Sequence, residues 1–325
     1  MSIEFSPPAP LRTAVLFLVF NRPGTTAKVF EAIRKARPPR LYVAADAARA
    51  SREGEAERVA LVREIATDVD WPCEVLTLFR EENLGCKYAV SDGITWFFEH
   101  EEQGIILEDD CLPNQSFFWF CETLLQRYAA DERVAVVTGD NFQNGQHRGE
   151  LGASYYFSKY NHCWGWASWR RAWQYYQGDL PFWPEWSQSD DWREKTPDTV
   201  ERRYWRKIFE RVRAGEIDSW AYPWTASVWY HGGLTATPNI NLVSNIGFDA
   251  DSTHTNDIDS PLANVATKEI GEIRHPSEVA QDGIADRYDF DHTFGGCRLR
   301  FPHSLLLLPR RAARFAYQRL KRSLA

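Results

Sequence analysis

The stretch Ile105-Ile106-Leu107-Glu108-Asp109-Asp110 decides how this chain is read. A short apolar run of this kind fits a buried strand. The three acids that close it repel one another and lose solvation against a core. A bound divalent cation, Mn²⁺ or Mg²⁺, resolves that repulsion by taking carboxylate oxygens and filling its other positions with water and ligand phosphates. In open α/β sheets, ligands bind outside the carboxyl ends of the strands. The alternative is a solvated strand-to-helix turn with Asp110 near a helix start.

Working outward, residues 13–20 read as a buried strand stopped by Asn21-Arg22-Pro23-Gly24, and 25–35 as a helix with Val29, Phe30 and Ile33 on one side. Strands are expected at 41–45 (ending at Asp46), 73–79, 104–107 and 134–138, and helices at 55–67, 86–99 and 115–128. Strands alternating with helices, several of them apolar throughout, mean an α/β domain with a largely parallel sheet. After about residue 150 aromatics crowd the chain. Helices are expected at 167–176 and 200–213, and short strands around 233–246. Residues 255–296 read as irregular. No internal repeat is visible.

The chain has 325 residues, 44% hydrophobic and 14% aromatic, enough for a sizeable core. Its net charge of −7 excludes a protein basic throughout. Residues 297–325 hold eight Arg or Lys and no acid, so that tail is +8 and the rest, −7 less +8, is −15. No run approaches the length of a membrane span. No secretory signal is visible at the start, which leads to the expectation of a cytoplasmic protein. The six cysteines form no close pair of the zinc-binding kind and read as reduced thiols.

These residues together resemble a known family. The quoted elements are Asn21-Arg22 after the first strand, Asp46 after the second, Glu108-Asp109-Asp110 followed by Ser116-Phe117-Phe118-Trp119-Phe120, Val137-Thr138-Gly139-Asp140-Asn141, and Cys163-Trp164-Gly165-Trp166. The order and spacing are similar to GT-A glycosyltransferases, of the inverting N-acetylglucosaminyltransferase I type, and to bacterial nucleotide-diphospho-sugar transferases with a tryptophan-rich segment. The resemblance covers about residues 13–175, is fainter over 176–255 and is absent beyond. It implies a GT-A (Rossmann-like) mixed sheet flanked by helices over 1–255, with a nucleotide-binding half (11–150) and an acceptor-side half (151–255). An irregular segment and basic tail would follow over 256–325.

The resemblance also implies roles. Asp110 would ligate the metal, with Glu108 and Asp109 at the ribose and sugar-phosphate side. Asp46 would contact the base and Asn21-Arg22 would lie at the donor, with Arg22 on the diphosphate. His254 fits the place of a late metal-ligating histidine. Taken singly, Asp46 also reads as a turn former, Arg22 as a surface arginine and His254 as a polar loop residue. An inverting transfer needs a carboxylate base; Asp218 in Glu216-Ile217-Asp218-Ser219-Trp220 is favoured over Asp191 in Ser189-Asp190-Asp191-Trp192. Trp164 and Trp166 are open between core packing and acceptor binding.

The implied activity is transfer of a sugar from a nucleotide diphosphate-sugar to a glycan or lipid-linked acceptor in bacterial surface polysaccharide assembly. The rivals are a sugar-1-phosphate nucleotidyltransferase and a non-catalytic carbohydrate-binding protein. Residues 310–324 have a helical stripe with basic flanks. That helix suits either an anionic membrane, at the inner membrane face, or docking on the acidic domain. No nucleic-acid module is apparent.

Overall fold

The computed structural model of the chain describes residues 5–248 and 260–303. β1 (Val15–Val19) is buried throughout. Alternate side chains serve two cores: Val15, Phe17 and Val19 face one, and Leu16 and Leu18 the other. α1 (Pro23–Ala36) opens on a proline, where the missing N–H is no loss and φ is preset. β2 (Arg40–Ala45), α2 (Glu55–Thr67), β3 (Glu74–Phe79), α3 (Gly85–His100) and β4 (Gln103–Glu108) continue the expected alternation. β5 (Cys111–Pro113) is followed by α4 (Gln115–Arg127), capped by the Asn114 side chain, which accepts from Phe117 N–H, and then by β6 (Val134–Thr138). The later elements are β7 (Tyr155–Ser158), β8 (Trp166–Trp169), α5 (Arg170–Trp173), α6 (Trp183–Trp186), α7 (Asp190–Lys195), α8 (Thr199–Arg213), α9 (Ala221–Tyr230), β9 (Leu234–Pro238), β10 (Val243–Asn245), α10 (Gly283–His292) and α11 (Gly296–Leu299).

The architecture is mixed α/β, as expected. One eight-stranded sheet runs β3-β2-β1-β4-β8-β6-β9-β7, flanked by helices on both faces, while β5 and β10 form a separate two-stranded ribbon. β1, β2, β3 and β4 are mutually parallel, as are β6 and β9; β8 is antiparallel to both its neighbours, and β7 to β9.

Three expectations are corrected. The helix expected at 167–176 is the central strand β8 followed by the single turn α5. The local period is two: Ala167 and Trp169 enter one core and Trp166 the other. Filling the slot between β4 and β6 outweighs the helical spacing of the tryptophans. Second, α9 is a helix where none is expected, because its residues are buried almost all round and carry no polar face to set a period. Third, 260–299 is not an irregular appendage. Ile270 lies in the main core, and its N–H donates to Ser116 Oγ at 2.8 Å. Glu269 accepts from Ser116 N–H at 2.8 Å, and Asp282 N–H donates to Phe157 O at 2.7 Å. Asp282 then caps α10. Residues 260–299 are therefore packed against the sheet and its helices.

Of the basic tail, Arg298 and Arg300 are described, and Arg300 bridges Asp198 at 2.6 Å and Asp291 at 2.8 Å. The helix expected at 310–324 lies outside the described residues. Among the described residues no helix is long and apolar enough to cross a membrane. Truncating the 6% exposed Ile270 to Ala is expected to cost about 3 kcal/mol, by loss of a core side chain. Urea unfolding should show a lower midpoint at unchanged slope. A neutral result would mean that 260–299 is separable after all.

Candidate active site

Three stretches meet at the carboxyl end of β4. From the β1 end, Phe20 N–H donates to Asp109 Oδ2 at 3.0 Å. Arg22 donates through Nη1 to Asp110 Oδ2 at 2.9 Å and through Nη2 to the Gly247 carbonyl at 2.7 Å. From the far end of the chain, the β5–β10 ribbon sets Asn245 opposite Cys111, and Ile246 N–H donates to Asp110 O at 2.8 Å. Any side chain at Gly247 would overlap both Asp110 Oδ2 and Arg22. Gly165, at φ +79°, is required in the same way: its added Cβ would meet Val243 of β10 at 2.7 Å.

The three acids are crowded and short of solvent. Burial, then the charges of Asp110 and Asp109, push Glu108 up to about 8. Burial and Asp110 raise Asp109 to about 7. Asp110 is also raised, because burial outweighs the opposing Arg22 guanidinium. At the start of α3, burial pushes the Cys86 thiol up to about 12, aided by the charges of Glu108, Asp218, Asp110 and Asp46. Burial also raises the half-buried Cys163 thiol, with the charges of Glu108 and Asp140 adding to the shift. Asp218 accepts from Lys87 N–H at 3.3 Å, which fixes it against the first turn of α3. Asp140 lies behind the site. It accepts from Trp164 N–H at 3.0 Å and is raised by burial to about 8.

The expected residues are thus distributed unevenly. Glu108, Asp109, Asp110 and Arg22 are brought together, while Asp218 sits exposed beside Lys87 at the start of α3. Asp46 is spent on a turn: its carboxylate accepts from Asn83 Nδ2, Leu84 N–H and Gly85 N–H at 2.9–3.0 Å, holding the loop between β3 and α3. Asn21 donates to Glu55 at 2.7 Å, and Glu55 is held down at about 2 by hydrogen bonds from Arg49. Asn21 therefore braces α2 instead of opening toward a ligand. Asp191 is exposed on the first turn of α7. Trp166 is 1% exposed and packs on Trp220 and Trp224, so it belongs to the core. Trp164 is half-buried, edge-on to Phe248 at 5.6 Å and to Phe142 at 5.4 Å. His254 lies outside the described residues.

Cys86, Lys87, Asp140 and Phe248 join the site without being expected there. For Cys86 and Lys87 the available signal is Asn83-Leu84-Gly85, a loop closing on a helix start. For Asp140 it is the acid just past the apolar strand 134–138.

Among the described residues no three His, Cys, Asp or Glu side chains converge as a ready-made metal site. The set fits a hard divalent cation only in the sparse manner of Mg²⁺, with one or two carboxylates and the remaining positions left for water and phosphate.

No protein-family model matches the chain, and no curated protein matches it. Among solved structures, S. aureus TarS (residues 1–349) superposes with a TM-score of 0.36 at 8% identity, over 70% of this chain and 58% of that one. HddC from Yersinia pseudotuberculosis gives 0.26 at 10% identity, over 39% and 57%, with the same values for HddC complexed with GMP-PN. The matches thus span less than two thirds of each of those chains. Likenesses this faint carry no argument, and the chemistry rests on the geometry.

The raised acids set a pH dependence. Glu108 keeps its proton in the folded state up to about 8, against 4.5 unperturbed. Its contribution to stability is therefore full below that lower value and is lost as pH rises through the window. Urea midpoints in metal-free buffer should fall from pH 5 toward about pH 8, and Glu108→Gln should flatten that slope. An unchanged slope in the variant would mean that Glu108 is ionised throughout.

Proposed function

We propose that the chain is a metal-dependent, inverting glycosyltransferase that moves a sugar from a nucleotide diphosphate-sugar to a glycan or lipid-linked acceptor. The observation that carries the reading is the carboxyl end of β4. Glu108, Asp109 and Asp110 are gathered there with Arg22, and the exposed Asp218 accepts from Lys87 N–H at the start of α3. Crowded acids beside one arginine suit a ligand that brings both a cation and phosphates.

In this mechanism Asp110, with Glu108 beside it and His254 as a further ligand, would hold the cation. When bound, the cation would offset the charge growing on the leaving diphosphate. Arg22 lies where it would orient the diphosphate, once its guanidinium shares Asp110 with the donor. The acceptor hydroxyl oxygen attacks the anomeric carbon from the face opposite the diphosphate. Its proton passes to Asp218, the new C–O bond forms, and the bond to the diphosphate oxygen breaks with its electron pair. Trp164, half-buried and edge-on to Phe248, would offer aromatic surface for the sugar's C–H faces.

The nucleotidyltransferase reading keeps the sheet but asks for a glycine-rich phosphate loop after the first strand. Here Arg22 is itself the residue before α1 and Pro23 its first residue, so the chain turns straight into the helix. The binding-module reading keeps only the aromatic surface.

A thermal-shift screen of nucleotide diphosphates with and without Mn²⁺ should show metal-dependent stabilisation by one of them, and Asp110→Asn should abolish it. No stabilisation by any nucleotide sinks the assignment. Asp218→Asn should lower turnover by about 10²–10⁴-fold while donor stabilisation persists. Asp191→Asn should leave both unchanged, and the reverse pattern would move the base to Asp191.

A further inference from the structure

The two edges of the eight-stranded sheet are treated differently. At one edge β7 is covered by the chain itself: Phe157 bridges Gln281, and Asp282 N–H donates to Phe157 O. At the other edge β3 pairs with β2 in unbroken register from Glu74 to Phe79 and has no second strand among the described residues. Monomeric proteins block such edges with lysines, prolines, bulges or covering segments. Residues 74–79 hold none of the first two, and their register contains no bulge. Val75 is 36% exposed, and no residue of β3 is fully buried.

The sequence of this edge is complementary to itself. Glu74-Val75-Leu76-Thr77-Leu78-Phe79-Arg80, laid antiparallel on a second copy about Thr77, sets Glu74 against the partner's Arg80, Val75 against the partner's Phe79 and Leu76 against the partner's Leu78. Directly opposed residues share a sheet face. The leucines would therefore meet on the α3 side with an opposite-charge pair at each end, and Val75 and Phe79 would meet on the α2 side. The Arg80 guanidinium pairs with the exposed carboxylate of Asp92 at 3.3 Å, a surface pair of little weight, while its backbone is held by Ala45 O and Arg63. We propose that β3 is the contact of a homodimer in which the sheet continues across a two-fold axis through Thr77. This is an isologous pairing, closed by symmetry and ending after two copies.

The test uses the full chain in sedimentation velocity at micromolar concentration. The wild type should sediment as a dimer. Thr77→Lys and Thr77→Glu each set like charges across the axis, and each should raise the dissociation constant about tenfold or more. Lysine is a residue natural edge strands tolerate, so circular dichroism should be unchanged. An equimolar mixture of the two variants should recover the dimer, because only Thr77-to-Thr77 pairing turns both repulsions into one attraction. A monomeric wild type overturns the proposal, as does a dimer indifferent to both variants. Protected β3 amides in a monomer, read by hydrogen exchange, also overturn it and give the edge to another segment of the same chain.

Discussion

Arg22 is where the molecule's distant parts are tied. Its two terminal nitrogens reach Asp110 at the end of β4 and the carbonyl of Gly247 past β10. Those groups come from the first loop, the middle of the chain and the last strand. Without that cation, three partly desolvated acids would face each other with only the Phe20 N–H and the Cys111 thiol to offset them, and each buried charge would press to take up a proton. The rest of the site is arranged around this contact. Gly247 must lack a side chain for the arginine to pass, and Gly165 must lack one so that β10 can lie close enough to carry Gly247 there.

Much of the fold is legible because its first half obeys simple periodicity. β1, β2 and β6 are apolar runs of strand length, and α1 and α2 fall close to where their spacing predicts. The misread elements β8 and α9 share one cause. Around Trp164–Trp173 and Trp220–Tyr230 tryptophan and tyrosine are so frequent that neither a two-residue nor a 3.6-residue pattern stands out. There tertiary filling decides: Trp166, Trp173, Trp220 and Trp224 interlock at centroid separations of 5.0–6.5 Å. The strand that carries Trp166 is set by the slot between two neighbours, which no local window contains.

The candidate site is legible where chemistry is concentrated in sequence and illegible where it is assembled. Glu108-Asp109-Asp110 announces itself, because three adjacent acids closing an apolar strand carry a cost in repulsion and lost solvation that a ligand must offset. Asp46 and Asn21 look equivalent to Arg22 in sequence, since all three follow a strand. Only their partners separate them: Asp46 is saturated by backbone donors, Asn21 braces a helix, and Arg22 meets the acids. Asp218 lies over a hundred residues from the acids, so its arrival beside Lys87 at the start of α3 depends on how α8 and α9 pack, which the sequence does not display.

The antiparallel strand β8 has a consequence for how the protein is made. β4 and β6 never touch as strands; each hydrogen-bonds to β8, which comes after both. On the ribosome the four parallel strands up to residue 108 can zip together through local βαβ steps as they emerge. β6 has no lateral partner in that growing sheet until residues 166–169 have been synthesised. β9 and β7 then have nothing to extend until β6 is seated. The sheet therefore grows from its parallel half toward β7, with a tryptophan-rich wedge as keystone. A ribosome stalled before that wedge would hold an open-edged half-sheet, the form most in need of a chaperone.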